Sequence, residues 1–324
     1  MVYLKYFSNL LYLNVFLPVA FFGKSYFLFL KYLRGFLVMS NTDARLLVNL
    51  RVSVHILEKG LTMPRTRLGF GKSRCMELVR LLNICQAREL SRTEEYIMAM
   101  NLISEYLEFH KAKGYQLDTS LKKLLMDILE PDLVDGRKQI GLDRENFFKY
   151  AQSDFELFSK SRRSVRNFSR RCDQDLFRRA VSLANTAPSA CNRQAHKVHV
   201  VSDSVKIAAI LKIQGGANGF GHTIPQIGVL TVDYKCLGRF EEHDGYFNSG
   251  LYASSLMYSM HYYEIGSVFL NWSSTLRQER ALRELITLSP TETVTVLFAF
   301  GVPEDYLRLC RSEKKSLNNT LIEL

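Results

Sequence analysis

This 324-residue chain has no Cys-x-x-Cys pair. Its six cysteines, Cys75, Cys85, Cys172, Cys191, Cys236 and Cys310, are scattered. That spacing excludes a disulfide framework and a thiolate zinc site, and it leaves free thiols in a reducing cytosol. No Gly-x-Gly-x-x-Gly follows a strand pattern, so a doubly wound dinucleotide fold is not supported. Gly69-Phe-Gly-Lys-Ser73 has the end of a phosphate-binding loop without its first glycine. A Gly-x-Ser-x-Gly elbow is absent, which removes the commonest hydrolase signature. No zinc-finger spacing, recognition-helix signature or aromatic RNA-binding motif occurs, so nucleic acid is not an expected partner. There is no internal repeat and no low-complexity linker. The first 41 residues contain no acidic residue at all.

What is present is a basic, core-forming chain. Its hydrophobic fraction of 47% is ample for a sizeable core, and its length suggests two domains. The net charge of +11 favours an anionic ligand or surface, with an unspecialised basic surface as the alternative. Residues 1–41 carry Lys5, Lys24, Lys31 and Arg34 around an uncharged run, Tyr6 to Gly23. That run is near the lower limit for spanning a bilayer. A secretory signal lacks a clear cleavage site, and short interfacial helices suit the mixture of Phe, Tyr, Leu and positive charge. The segment is expected to contact the inner face of a membrane; packing on the protein or on a second subunit is the alternative.

Residues 42–145 read as helices. Leu46, Leu47, Leu50, Val54 and Leu57 recur at helical spacing, with Gly60 as a stop. Ser73 is the expected cap of a second helix, and Ser91-Arg-Thr-Glu94 an expected capping box for a third that ends at Gly114. Leu121, Leu124, Leu125, Ile128 and Leu129 form the stripe of a fourth, closed by Pro131. His55 and Glu58 share a helix face, but without a third ligand they read as a polar helix end, and no metal is expected.

Residues 146–324 alternate helices with apolar strands. Helices are expected at 175–187, 250–264 and 276–288, and strands at 197–201, 227–233, 267–271 and 293–300. This is an α+β layered domain. Gly215 to Gly221 is a glycine-rich loop suited to close backbone approach. Two blocks carry chemistry. Ser161 to Phe168 packs Arg162, Arg163, Ser164 and Arg166 together, and two arginines beside a hydroxyl can grip a phosphate. Ala187 to Gln194 is a polar loop with Pro188, Ser189, Asn192 and Gln194. Cys191, inside it, reads as a small space-filler.

These blocks resemble the flavin-dependent nitroreductase family over residues 161–324. The family's Arg-Arg-Ser-x-Arg-x-Phe is matched by Arg162, Arg163, Ser164, Arg166 and Phe168. Its Ala-Pro-Ser-x-x-Asn-x-Gln is matched by Ala187, Pro188, Ser189, Asn192 and Gln194. Where the family has Pro-Trp, this chain has Ala195 and His196. Phe300-Gly-Val-Pro303 looks like the family's Gly-x-Pro turn, and Arg311 to Lys315 like its C-terminal basic cluster. The resemblance implies a nitroreductase-like domain binding FMN, with NADH or NADPH as reductant, hydride passing through the flavin to a small-molecule acceptor, and a homodimer. It implies phosphate contacts from Arg162, Arg163, Ser164, Arg311 and Lys314, a ring contact from Arg166, and contacts to the ribityl chain or ring edge from the 188–194 loop. No side chain is implied as a catalytic acid or base. His55 to Leu61 (HILEKGL), with Met63-Pro64 and Gly69-Phe-Gly71, resembles a subgroup with a helical N-terminal extension often linked to surface-polysaccharide synthesis. A flavin-binding or membrane-surface accessory protein without turnover is the alternative.

Overall fold

The computed structural model describes Tyr26, residues 42–238 and residues 241–324. The expectations for residues 1–41 therefore lie, Tyr26 apart, outside the described residues. Helix α1 (Asp43–Leu61) starts where the Thr42 side chain accepts from the Arg45 amide, and it buries Leu46, Leu50, Val54, Leu57 and Leu61 on one stripe. Helices α2 (Lys72–Ala87), α3 (Glu94–Ala112) and α4 (Thr119–Ile128) pack their own stripes onto it around one core.

Three local expectations are corrected here. Gly60 does not stop α1, because the helix runs through it to Leu61. Its missing side chain makes room instead for the Phe70 ring, which would lie 2.0 Å from a Cβ at that position. Ser73 is not the cap of α2; Gly71 takes that place at φ 72°, a left-handed conformation that glycine adopts without strain. The capping box before α3 does not form, because the N-cap is Thr93, two residues after Ser91, and its hydroxyl donates back to the Leu90 carbonyl.

Beyond the helices, β1 (Ile140–Asp143) pairs antiparallel with β7 (Tyr306–Leu309), joining the end of the helical region to the end of the chain. Short helices α5 (Arg144–Phe148) and α6 (Phe155–Ser161) lead to β2 (Phe168–Arg170). Then come α7 (Gln174–Ala184), β3 (His196–Val201), α8 (Ser204–Gln214), β4 (Gln226–Asp233), α9 (Glu242–Tyr262), β5 (Gly266–Leu270), α10 (Leu276–Leu285) and β6 (Glu292–Pro303).

The main sheet has five antiparallel strands, with β6 between β4 on one side and β5 on the other, β3 beyond β4, and β2 at the far end of β6. The two-residue period of β6 sends Phe298 and Phe300 to the face covered by α7 and α9. It sends Leu297 and Ala299 to the face covered by α8 and α10. Helices on both faces of an antiparallel sheet make the expected layered α+β fold. The expected Gly-x-Pro turn is a further correction: Gly301 lies inside β6, which continues to Pro303 and pairs there with Phe168.

Candidate functional site

Helix α6 ends at Ser161, and Arg162 continues in extended backbone. The Val165 amide donates to the Ser267 carbonyl at 3.0 Å, which fixes the arginine segment beside β5. Arg162 and Ser164 line a cleft of about 410 Å³, a volume in the range of small-molecule sites. Its floor is the face of α9 bearing Ser249, Gly250, Ala253 and Met257, together with Phe269 of β5 and Thr295 of β6. The Arg162 guanidinium sits 5.9 Å from the centre of the Tyr258 ring.

The C-terminal tail brings further cations to the same place. Burial lowers the Arg163 pKa, and the charges of Arg162 and Arg311 lower it further. The Lys314 side chain is exposed overall, yet partial desolvation of its ammonium lowers its pKa, with added repulsion from Arg162, Arg163 and Arg51. Arg51 pairs with Glu95 and Arg311 with Glu313. Arg162, Arg163 and Lys314 have no ion-pair partner among the described residues. Arg163 donates through Nη1 to the Lys160 and Arg162 carbonyls, but its buried Nε has no acceptor. Like charges gathered around one cleft-lining arginine, with an orphaned buried donor, are the chemistry of an anion site.

His261 lies under this cluster. Its Nε2 is 2.8 Å from the Ser161 hydroxyl, and the rings of Phe147, Phe148 and Phe158 surround it. Burial first, then the charges of Arg162 and Arg163, push its pKa down to about 4.

Arg166 points elsewhere. Its Nη1 donates to the Cys310 thiol at 3.4 Å; burial first, and then the Arg166 charge, lower the pKa of Lys59 at the end of α1. The 188–194 loop is also separate. Ala190 donates to Asn248 Oδ1, and Arg193 pairs with Glu241, so the loop is held at the beginning of α9. Asn248 and Tyr258 are ten residues apart on that helix, or about 15 Å along its axis. None of Pro188, Ser189, Asn192 or Gln194 bonds to the arginine segment. The Gln194 amide donates to the Ser189 hydroxyl, and its side chain donates to Asn192 Oδ1.

Cys191, Asn192 and Gln194 all have φ near +50°, a conformation that strains non-glycine residues and is concentrated at functional sites. Cys191 is exposed, so it is not the expected space-filler. His196, in the place of the family's tryptophan, stacks on the Tyr252 ring with centroids 3.7 Å apart. In the glycine-rich loop Gly219 packs against Met63, whose side chain would lie 2.6 Å from a Cβ there, while Gly215 and Gly216 are exposed.

Sequence reading missed Arg51, Tyr258 and His261. The available signal was the spacing of Arg51, His55, Glu58 and Lys59, which marks a polar face on an otherwise apolar helix. His55 and Glu58 bond to each other at 3.1 Å, and Glu58 also accepts from Gln139. Among the described residues no three His, Cys, Asp or Glu side chains gather as a metal site.

Fold and site together define a layered α+β protein with a cationic small-molecule cleft. Residues 159–219, which hold both chemistry-bearing blocks, match the family model described as Nitroreductase family. No curated protein matches the chain. Among solved structures, the chain is similar to an FMN-dependent nitroreductase from Clostridium difficile (19% identity, 50% of this chain and 91% of that one, TM-score 0.41). It is also similar to a nitroreductase-like protein from Streptococcus mutans (18% identity, 53% and 98%, TM-score 0.45). A third similar structure is a provisionally named nitroreductase from Desulfovibrio desulfuricans in complex with FMN (17% identity, 53% and 98%, TM-score 0.47).

Proposed function

We propose that this chain is an FMN-dependent oxidoreductase of nitroreductase type, using NADH or NADPH to reduce a small-molecule acceptor. The observation that carries the reading is the convergence of Arg163, Arg311 and Lys314, from two segments about 150 residues apart, around Arg162, which lines the cleft and lies within the family match. Bound FMN supplies hydride acceptance and donation. The protein's own residues bind and orient it. Arg162, Arg163, Ser164, Arg311 and Lys314 hold the phosphate through charge-assisted hydrogen bonds, with the buried Arg163 Nε among the donors. Arg166, apart from that cluster, acts on the ring and favours its negatively charged reduced form. The apolar floor of Ala253, Met257 and Phe269 keeps water from one side of the cleft.

In this reading the 188–194 loop completes the site of a second copy. The open face of α9, with Tyr246, Phe247, Gly250 and Ser254 exposed, supports a homodimer built on that helix. The protein works in the cytoplasm, with residues 1–41 touching the inner membrane face. On the resemblance of the HILEKGL segment, its acceptor belongs to surface-polysaccharide synthesis.

The test is the double variant Arg162→Ala/Ser164→Ala. Loss of one charge-assisted and one neutral phosphate contact should weaken FMN binding at least about a hundredfold. Full flavin retention after purification overturns the phosphate assignment.

A further inference from the structure

The loop that follows α1 is not used by the site described above. It carries Met63 and Pro64 and borders a second cavity of about 440 Å³, in the size range of small-molecule sites. Four segments line that cavity: the loop itself, the end of α3 through Phe109 and Lys113, Asn167, and β7 through Arg308. None of the residues that line the Arg162–Ser164 cleft is among them.

Local hydrogen bonds fix the walls. The Thr66 hydroxyl donates back to the Gly60 carbonyl at 3.3 Å and to the Met63 carbonyl at 3.1 Å. The Gly69 amide donates to His110 Nε2 at 3.0 Å, which ties the end of the loop to α3. Arg308 is held in β7 opposite Gly141, and its guanidinium lies 5.2 Å from the centre of the Phe109 ring. A guanidinium stacked on an aromatic face keeps the N–H groups at its edge for a ligand.

Charge decides what the cavity can hold. Arg65, Lys113 and Arg308 line it, and no acidic residue does. None of these three cations has an ion-pair partner among the described residues, and the Asn167 side chain makes no hydrogen bond among them. The Arg308 charge reaches the Glu105 carboxylate, but that group is bound by the amide and the side chain of Gln139. The cavity beside α5 is the contrast: Asp143, Glu145, Glu264 and Asp305 stand there with Arg144 and Lys149, and Arg144 pairs with Asp305 at 3.0 Å. That lining answers its own charge. Three cations without an acid do not, and they exceed the single charge of a carboxylate. Met63, Leu68 and Phe109 make the rest of the wall apolar. Inorganic phosphate would satisfy the cations and leave that wall and most of the volume unused.

We propose that this cavity is a second ligand site, which takes a small organic phosphate. Arg65, Lys113 and Arg308 hold the phosphoryl group, with Asn167 as a further donor, and an apolar or ring-shaped body lies against Met63, Leu68 and Phe109. The site shares no residue with the proposed flavin site and does not depend on the FMN reading.

The experiment is calorimetric titration of the full chain with phenyl phosphate, inorganic phosphate and benzoate, with FMN added so that any flavin site is already filled. Wild type should bind phenyl phosphate at least about tenfold more tightly than either of the others, since neither joins a dianion to a ring. Lys113→Gln, at an exposed position, should weaken phenyl phosphate about threefold. Lys113→Gln/Arg308→Gln should weaken it at least about tenfold. Arg162→Ala/Ser164→Ala should leave it within about twofold. No binding by wild type, equal binding of benzoate or inorganic phosphate, or binding that is lost in Arg162→Ala/Ser164→Ala and kept in Lys113→Gln/Arg308→Gln overturns the proposal. Melting of each ligand-free variant is the folding control. If Lys113→Gln/Arg308→Gln melts early, Lys113→Gln alone decides: weaker binding supports the site, and unchanged binding overturns it.

Discussion

Arg163 shows how the site is stored in single residues. Its guanidinium is half-buried beside two other cations, and one donor has no acceptor. Such an arrangement costs stability unless an anion joins it. His261 carries the consequence for pH. It is kept neutral in the folded protein at a pKa near 4, against an ordinary value of 6.5. Below 6.5 the unfolded chain binds a proton that the folded chain does not. The stabilisation from His261 is therefore complete above about pH 6.5 and is lost as pH falls toward 4, by up to about 3 kcal/mol. Urea unfolding midpoints should fall from pH 7 to pH 4.5, and His261→Gln should flatten that slope. An equal slope in the variant would assign the acid sensitivity elsewhere.

Among elements, Gly60 separates two readings of one residue. As a helix stop it would tolerate alanine, which gains about 1 kcal/mol of helix propensity. As the seat of the Phe70 ring it would not, because overpacking costs about 1–3 kcal/mol. Gly60→Ala is expected to lower stability by about 1 kcal/mol or more in urea unfolding; a stabilised variant would restore the first reading. Most of the long helices were legible by their apolar period and strands β3 to β6 as apolar, β-branched or aromatic runs, whereas α8 was not expected. The strands β1, β2 and β7 are three or four residues long and exist only through partners far away in sequence, so no local pattern announces them. The same contrast holds at the site. Arg162, Arg163, Ser164 and Arg166 stand out because they are adjacent in sequence. Arg51 lies some hundred residues earlier, and only the packing of α1 on the tail places it there. The loop at 188–194 was legible as polar and irregular, but its distance from the arginines along α9 was not.

At the scale of the whole molecule, the first helix of the helical region lies along the tail at residues 310–313, and the residues that follow the helical region carry the cleft. Among the described residues no helix is long and apolar enough to cross a membrane. The proposed reading assigns membrane contact to residues 1–41. Their removal should move the protein from the membrane to the soluble fraction, and an unchanged distribution would remove that contact from the account. The central claim is the flavin. Its most direct test is the visible absorption spectrum of the purified full-length chain, before and after anaerobic addition of NADH or NADPH. The expected result is a yellow protein with a flavin spectrum that bleaches with one or both nucleotides. A colourless protein that takes up no added FMN would contradict the cofactor, and a yellow protein that neither nucleotide bleaches would contradict the enzyme.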